Sequence, residues 1–300
     1  MTAFVYSGIN NIYRVRDEDG NFHECRIKGK VLGSHTDEYN PLAPGDRVDF
    51  FITDEGKGLI TRRLERRSQF RRWNKKGEAW QTAAANIDLL AIVMAAREPA
   101  FRPRFAERVM ITASQHNIPA VVIVNKQDLG ISETIEQYRG TWQAIGIQTY
   151  YCSAETGEGM EQLQFPGCTA LFGPSGVGKS TLINYLVPGT ELATAAISRK
   201  FSRGRHVTNF GRLIDTPWGA WFIDTPGIRE IHIRDIEPEQ LIHCFPDIEE
   251  HGEGCGFQPC SHRHEPRCGV IDALNKGKIN PERYKNYLLI REELEKLRPY

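Results

Sequence analysis

Asn125-Lys126-Gln127-Asp128, Ser153-Ala154, Gly173-Pro174-Ser175-Gly176-Val177-Gly178-Lys179-Ser180-Thr181 and Asp224-Thr225-Pro226-Gly227 are the runs whose residue types and spacing point to chemistry. The third has the G-x4-G-K-S form of a phosphate loop. Its glycines let backbone N–H groups turn toward phosphate oxygens, and the helix it opens adds a favourable dipole. Lys179 then reaches the β- and γ-phosphates, and the Ser180 hydroxyl serves Mg²⁺. Asp224 ends an apolar run and is placed to hold Mg²⁺ through a water, while Gly227 can offer its N–H to a γ-phosphate. Asp128 can accept two hydrogen bonds from guanine, from N1–H and from the 2-amino group. Adenine lacks that pair and would leave the carboxylate bare. Asn125 is expected to contact the other edge of the base and to tie loops together. Lys126 should pack its stem along the ring, and the Ala154 N–H should reach guanine O6. Together these groups describe a site for GTP, and for GDP as its product.

The order of the runs is unusual, because the base-reading cluster precedes the phosphate loop. A rotated connectivity is physically harmless, since a parallel sheet binds ligands at the carboxyl ends of its strands whichever order the chain visits them. Between the phosphate loop and Asp224 lies Arg203-Gly204-Arg205-His206-Val207-Thr208. Thr208 is the candidate switch threonine for Mg²⁺. Directly after D-x-x-G, where many GTPases carry a water-orienting glutamine, stands Ile228, which cannot hydrogen-bond water. Slow intrinsic turnover is therefore expected, with the missing group supplied by His206 or by a partner.

A second cluster, Cys255-x4-Cys260-x-His262-x5-Cys268, offers three thiolates and one imidazole. That is a complete tetrahedral set for one structural Zn²⁺, with no open position for catalysis. His264 is a rival ligand by position. Cys25, Cys152, Cys168 and Cys244 are scattered and read as small buried hydrophobes.

These groups need a scaffold. Residues 1–72 are expected to be an all-β barrel of the OB type, from short β-prone runs at Ile12–Val15, Glu24–Ile27, Arg47–Ile52 and Leu59–Thr61 separated by turn signals. An SH3-like barrel fits the same pattern. Arg62 to Lys76 is rich in Arg and Lys, with Phe70 and Trp73 among them. It reads as the barrel's end plus a linker, either solvated or laid on RNA phosphates. Residues 73–235 alternate apolar strands with helices, the pattern of a parallel sheet covered on both faces. Residues 236–300 hold the Cys/His cluster and a helix from Pro281 to about Leu297. Its apolar face should carry Tyr284, Tyr287, Leu288 and Leu294.

The totals agree. The chain has 300 residues, with Lys+Arg 38 against Asp+Glu 38, so no global charge favours nucleic acid and local clusters must carry any such case. Three of the seven cysteines fall between 255 and 268, which suits a metal site in a reducing, cytoplasmic setting better than disulfides. No secretory signal opens the chain, and the longest apolar run, Leu89–Ala96, is too short to cross a bilayer, so no membrane partner is expected.

The rotated motif order, the N-terminal barrel and the C-x4-C-x-H-x5-C cluster closely resemble the circularly permuted GTPases of small-ribosomal-subunit maturation, the RsgA (YjeQ) type. The resemblance covers essentially the whole chain. It implies an OB-fold barrel, a permuted P-loop GTPase domain of α/β type and a small zinc-binding α domain. It also implies GTP hydrolysis stimulated by the 30S subunit, contact with 16S rRNA, and a late assembly role, for a protein expected to be a monomer. The family's motif residues fall on Asn125, Lys126, Asp128, Ser153, Ala154, Gly173 to Thr181, Thr208 and Asp224 to Gly227, and its zinc ligands on Cys255, Cys260, His262 and Cys268. The family commonly reads H-T-T in the switch, where this chain has His206-Val207-Thr208. Two other readings fit the residues: a GTP-dependent RNA-binding scaffold without turnover, and a permuted GTPase serving a different RNA or protein client.

Overall fold

The computed structural model describes residues 1–9, 11–29, 38–75, 77–163, 165, 167–190, 192, 211–228 and 230–297. His206 and Thr208 lie outside them.

Five strands close a barrel: β1 (Thr2–Ile9), β2 (Ile12–Asp17), β3 (Phe22–Ile27), β4 (Arg47–Ile52) and β5 (Gly58–Arg63), in the order β1-β2-β3-β5-β4 with β4 returning to β1. The β3–β5 pair is parallel, which gives the OB arrangement and not the SH3-like one. Alternation builds the interior. Tyr13 and Val15 point inward and Ile12 and Arg14 outward along β2, and they meet Val5, Cys25, Val48, Phe50 and Ile60 in one buried cluster. β1 went unread in the sequence because it breaks the period of two. Its register slips between Val5 and Ser7, so Val5 and Tyr6 are both buried. Val5 fills the barrel, while the Tyr6 hydroxyl donates to Asp215 of the next domain at 2.7 Å.

The basic stretch is not a linker. It completes β5 and then forms β6 (Gln69–Asn74), which pairs with β7 (Ala79–Ala85) as an antiparallel hairpin. The expected boundary at 72/73 falls inside β6. Most of its cations are also committed to acids elsewhere in the chain. Arg62 pairs with Asp49 (2.7 Å), Arg63 with Glu38 (3.1 Å), Arg71 with Asp235 (2.6 Å), Lys75 with Glu230 (3.8 Å), and Arg67 with Asp88. The Arg66 side chain is only 6% exposed, its guanidinium forked onto the fully buried Asp46 at 2.7 and 2.9 Å. Cations paired in this way have fewer counterions to release on meeting a phosphate backbone.

The central sheet runs β10-β9-β8-β11-β13-β12, built from β8 (Leu89–Ala95), β9 (Ala120–Asn125), β10 (Thr149–Tyr151), β11 (Cys168–Phe172), β12 (Arg212–Asp215) and β13 (Trp221–Asp224). Every pairing is parallel except β12–β13, a hairpin turned at Asp215–Ala220. Helices α1 (Pro103–Gln115), α2 (Glu133–Ala144) and α3 (Lys179–Leu186) belong to this domain. Pro103 starts α1, and the Ser132 hydroxyl accepts from the Ile135 N–H to start α2. β8, β9 and β11 read as continuous apolar runs because helices and loops bury both faces.

The C-terminal part adds α4 (Pro246–Gly252), α5 (Gly269–Asn275) and α6 (Pro281–Glu295). Asn280 caps α6, accepting from the Glu282 and Arg283 N–H groups. The buried face of α6 differs from the expected one. Tyr284 and Leu288 are half-buried, and Arg283, Asn286 and Arg291 are buried beside Tyr287, Ile290 and Leu294. Arg291 donates to the Pro238 carbonyl at 2.8 Å, and Arg283 and Asn286 are drawn in by Glu107 on α1. Arg283 donates to it at 2.9 Å and forks onto Asp247 at 2.7 and 2.8 Å, while Asn286 also donates to Glu107. Burial pushes the Glu107 carboxyl up from its ordinary range, and Arg283 opposes that. Among the described residues no helix is long and apolar enough to cross a membrane.

Candidate nucleotide site and metal cluster

Each nucleotide motif follows the carboxyl end of a parallel strand. Asn125 ends β9, Ser153 follows β10, Gly173 follows β11 and Asp224 ends β13. Because β10, β9, β11 and β13 share one direction, all four loops emerge on one edge of the sheet, where ligands bind in such folds. The rotated order therefore leaves the loops together.

Asn125 is the joint. It is 2% exposed. Its Nδ2 donates to the Val177 carbonyl in the phosphate loop (2.9 Å), and its Oδ1 accepts from the Ala154 N–H (3.0 Å). One side chain thus joins three motifs. The Ala154 amide, expected to serve guanine O6, is engaged inside the protein and has to be shared when a base binds. Lys126 adopts a left-handed backbone at φ 62°, and its ammonium caps the Glu98 carbonyl. Asp128 follows in a short 3-10 turn and is exposed.

The phosphate loop needs its glycines for space as well as conformation. A Cβ on Gly178, whose φ is 95°, would sit 2.2 Å from Asn125 Nδ2. One on Gly173 would sit 2.2 Å from the Val93 carbonyl oxygen of β8. Lys179 is 7% exposed and folds back onto the Gly173 and Pro174 carbonyls at 2.7 and 3.1 Å. Burial pushes its pKa down to about 8, against the pull of Asp224. Burial likewise lifts Asp224 to about 6, with Lys179 and Arg212 opposing. Asp224 Oδ1 is buried without a hydrogen-bond partner. A phosphate beside Lys179 and a hydrated Mg²⁺ beside Asp224 would satisfy both groups, and the half-buried Ser180 hydroxyl completes a hard oxygen donor set that fits Mg²⁺. Thr225 is buried, and its hydroxyl donates to the Leu171 carbonyl at 2.6 Å, fastening the D-T-P-G turn to β11. Gly227 lies against the phosphate loop, where a Cβ would come within 3.0 Å of Ser175 Cα. Ile228 is buried in the main core.

The donor atoms of Cys255, Cys260, His262 and Cys268 lie within 4.8 Å of one another. His262 Nδ1 is 3.5 Å from the sulfurs of Cys255 and Cys268, and Cys268 is 3.8 Å from those of Cys255 and Cys260. A tetrahedral centre holding sulfur at about 2.3 Å and nitrogen at about 2.0 Å separates its donors by about 3.5–3.8 Å. The four residues therefore fit a structural metal. His264, the rival by position, is exposed and outside the cluster. The Glu265 carboxylate clamps the intervening turn by accepting from the Ser261, Arg263 and His264 N–H groups. Of the other cysteines, Cys25, Cys152 and Cys168 are buried as expected, and Cys244 is only half-buried.

The RsgA N-terminal domain family matches residues 4–60 and the RsgA GTPase family matches residues 63–234. The small ribosomal subunit biogenesis GTPase RsgA of Borreliella burgdorferi is 35% identical over 297 residues, covering 98% of this chain and 96% of that protein. The crystal structure of YjeQ from Thermotoga maritima matches with a TM-score of 0.74 at 29% identity, covering 99% of both chains. YloQ, described as a circularly permuted GTPase, has the same fold, with a TM-score of 0.67 at 24% identity and coverage of 100% of this chain and 96% of its own. With its motif loops gathered on one sheet edge and nearly its whole length matched, the chain belongs to the RsgA GTPase family.

Proposed function

We propose that this protein hydrolyses GTP and acts in assembly of the small ribosomal subunit, with turnover raised by that subunit. The observation that carries the reading is the Asn125 joint, which ties the base-reading turn to the phosphate loop and the S-A loop at one edge of the sheet. Asp128 selects guanine through N1–H and the 2-amino group, which disfavours ATP. Gly173 to Thr181 wrap the phosphates, and Lys179 exchanges its loop carbonyls for the β- and γ-phosphates. Asp224, Ser180 and Thr208 would hold Mg²⁺, which would supply charge neutralisation on the phosphates. Gly227 offers its N–H to the γ-phosphate.

Ile228 cannot orient water, so His206 or an element of the subunit fills that role. The Cys/His cluster takes zinc, because three thiolates and an imidazole suit that ion and leave no open coordination position. 16S rRNA is the proposed contact. The support is on the barrel, where Phe22 is 43% exposed and the Arg14 guanidinium lies 4.0 Å above its ring. An exposed ring with a cation beside it is a stacking platform for an unpaired base.

The test is phosphate release by the purified protein with and without 30S subunits, with 50S subunits as control. Stimulation by 30S alone is expected. Tight GTP binding without turnover in either case favours the scaffold reading for which Ile228 argues, and stimulation by 50S points to another client.

A further inference from the structure

Arg72 on β6 stands apart from its paired neighbours. Among the described residues no carboxylate lies within ion-pair reach of it. Its side-chain hydrogen bond runs to Gln81 Oε1 on β7 at 3.0 Å, and burial holds the guanidinium below its ordinary pKa. Arg72 lines a cavity of about 20 Å³ together with Gln81, Thr82, Gly211, Pro226 and Ile228, room for about one water. Pro226 and Ile228 flank Gly227 in the D-T-P-G loop. Gly211 leads into β12, directly after the segment that contains Thr208.

The geometry of one peptide links this cavity to the nucleotide. Gly227 lies against the phosphate loop at Ser175, while its neighbours Pro226 and Ile228 line the Arg72 cavity. In a trans peptide the N–H and the preceding C=O point in opposite directions. Once the Gly227 N–H turns toward a γ-phosphate, the Pro226 carbonyl must turn away from it, toward the cavity. We propose that Arg72 is a positioning residue for the γ-phosphate: its guanidinium captures the Pro226 carbonyl in the GTP state and holds the 226–227 peptide with its N–H on the nucleotide. The inference rests on the role given to Gly227 under Proposed function.

A guanidinium offers five donors in a rigid fork. One reaches Gln81, and among the described residues the others meet no acceptor, so they can take one that arrives only when the peptide turns. A neutral carbonyl suits such a contact, because it can be made and released with the nucleotide, whereas a carboxylate would keep its grip in both states. GDP has no γ-phosphate and no need of the contact.

The experiment is titration of the full-length protein with fluorescent GDP and with a fluorescent non-hydrolysable GTP analogue, for wild type, Arg72→Ala and Arg72→Lys. Losing one charge-assisted hydrogen bond should weaken the analogue by about tenfold or more in Arg72→Ala and change GDP affinity by less than about twofold. Arg72→Lys, able to reach a single carbonyl, should lose less. A residue that only supports the fold would weaken both nucleotides together, so an unchanged ratio of the two affinities overturns the inference. Should Arg72→Ala fail to fold, Arg72→Met, which keeps an apolar stem and cannot donate, decides by the same ratio. A wild-type protein that binds neither nucleotide would overturn the proposed function as well, whereas an unchanged ratio strikes the Arg72 role alone.

Discussion

The metal cluster and the nucleotide site both hold several groups within a few ångströms, and they do it in opposite ways. The metal donors come from one short loop, Cys255 to Cys268, pinned by local contacts such as the Glu265 clamp. The nucleotide groups come from Asn125 to Gly227, and a parallel sheet lines them up before any side chain makes a contact. A site made of one loop should fall as a unit when a donor is removed. A site framed by a sheet should lose one function at a time.

The largest effect is expected at the cluster. Structural zinc contributes about 10 kcal/mol or more to the folding of small metal-bound units. Cys268→Ser should lose the metal, loosen α4 to α6, and open that region to limited proteolysis, while GDP still binds the central domain. Metal content, the protease pattern and a GDP titration on one preparation check this. Loss of GDP binding together with the metal would break the contrast between the sites, since it would mean that α6 and its Glu107 contact also hold up the sheet.

Asp128→Ala should act in the opposite manner. Asp128 is exposed, so the melting temperature should not move. Guanine nucleotides should bind about 100-fold more weakly or worse, because a site built to pair two donors loses both partners. Asp128→Asn sharpens the point. Its amide can donate to the 2-oxo group of xanthine, so a gain for xanthosine over guanosine triphosphate is expected, and no gain would remove Asp128 from base reading.

Asn125→Ala lies between the two extremes. It orphans the Val177 carbonyl and the Ala154 N–H, both inside the protein. Unmade buried hydrogen bonds cost about 1–3 kcal/mol each, so thermal stability and the affinities for GTP and GDP should all fall, the two nucleotides by the same factor. A selective loss of one nucleotide would show that Asn125 reads the ligand and does more than join loops.

What the sequence made legible follows the same division. The metal ligands could be read together with their spacing, because every partner lay within the same loop. The nucleotide runs could be read because each is a backbone necessity, such as Gly178 under Asn125 or Gly173 under Val93. The double engagement of Asn125 was only half visible, since its Ala154 partner lies in the turn after the next strand, β10. The hairpin β6–β7 was missed because charge suggested solvent. The acids that answer Arg66, Arg71 and Lys75 are Asp46, Asp235 and Glu230, all distant in sequence. The short helices α4 and α5 give too few turns for a periodic signal. The polar face of α6 was illegible for a related reason, because its partner Glu107 sits on α1, 176 residues away.

The smallest expected effect tests how local the cluster is. The Tyr284 hydroxyl on α6 donates to the His262 carbonyl at 2.6 Å, the one contact described here that reaches a ligand's backbone from that helix. Tyr284→Phe keeps the ring and removes this bond, for about 1 kcal/mol. If the loop holds its own metal, the variant should retain full metal content and show only faster metal loss to a chelator. The exchange rate measured against wild type gives the answer. A variant that emerges from purification without metal would mean that α6 helps to build the cluster, and the site would then resemble the sheet-framed one in needing distant support.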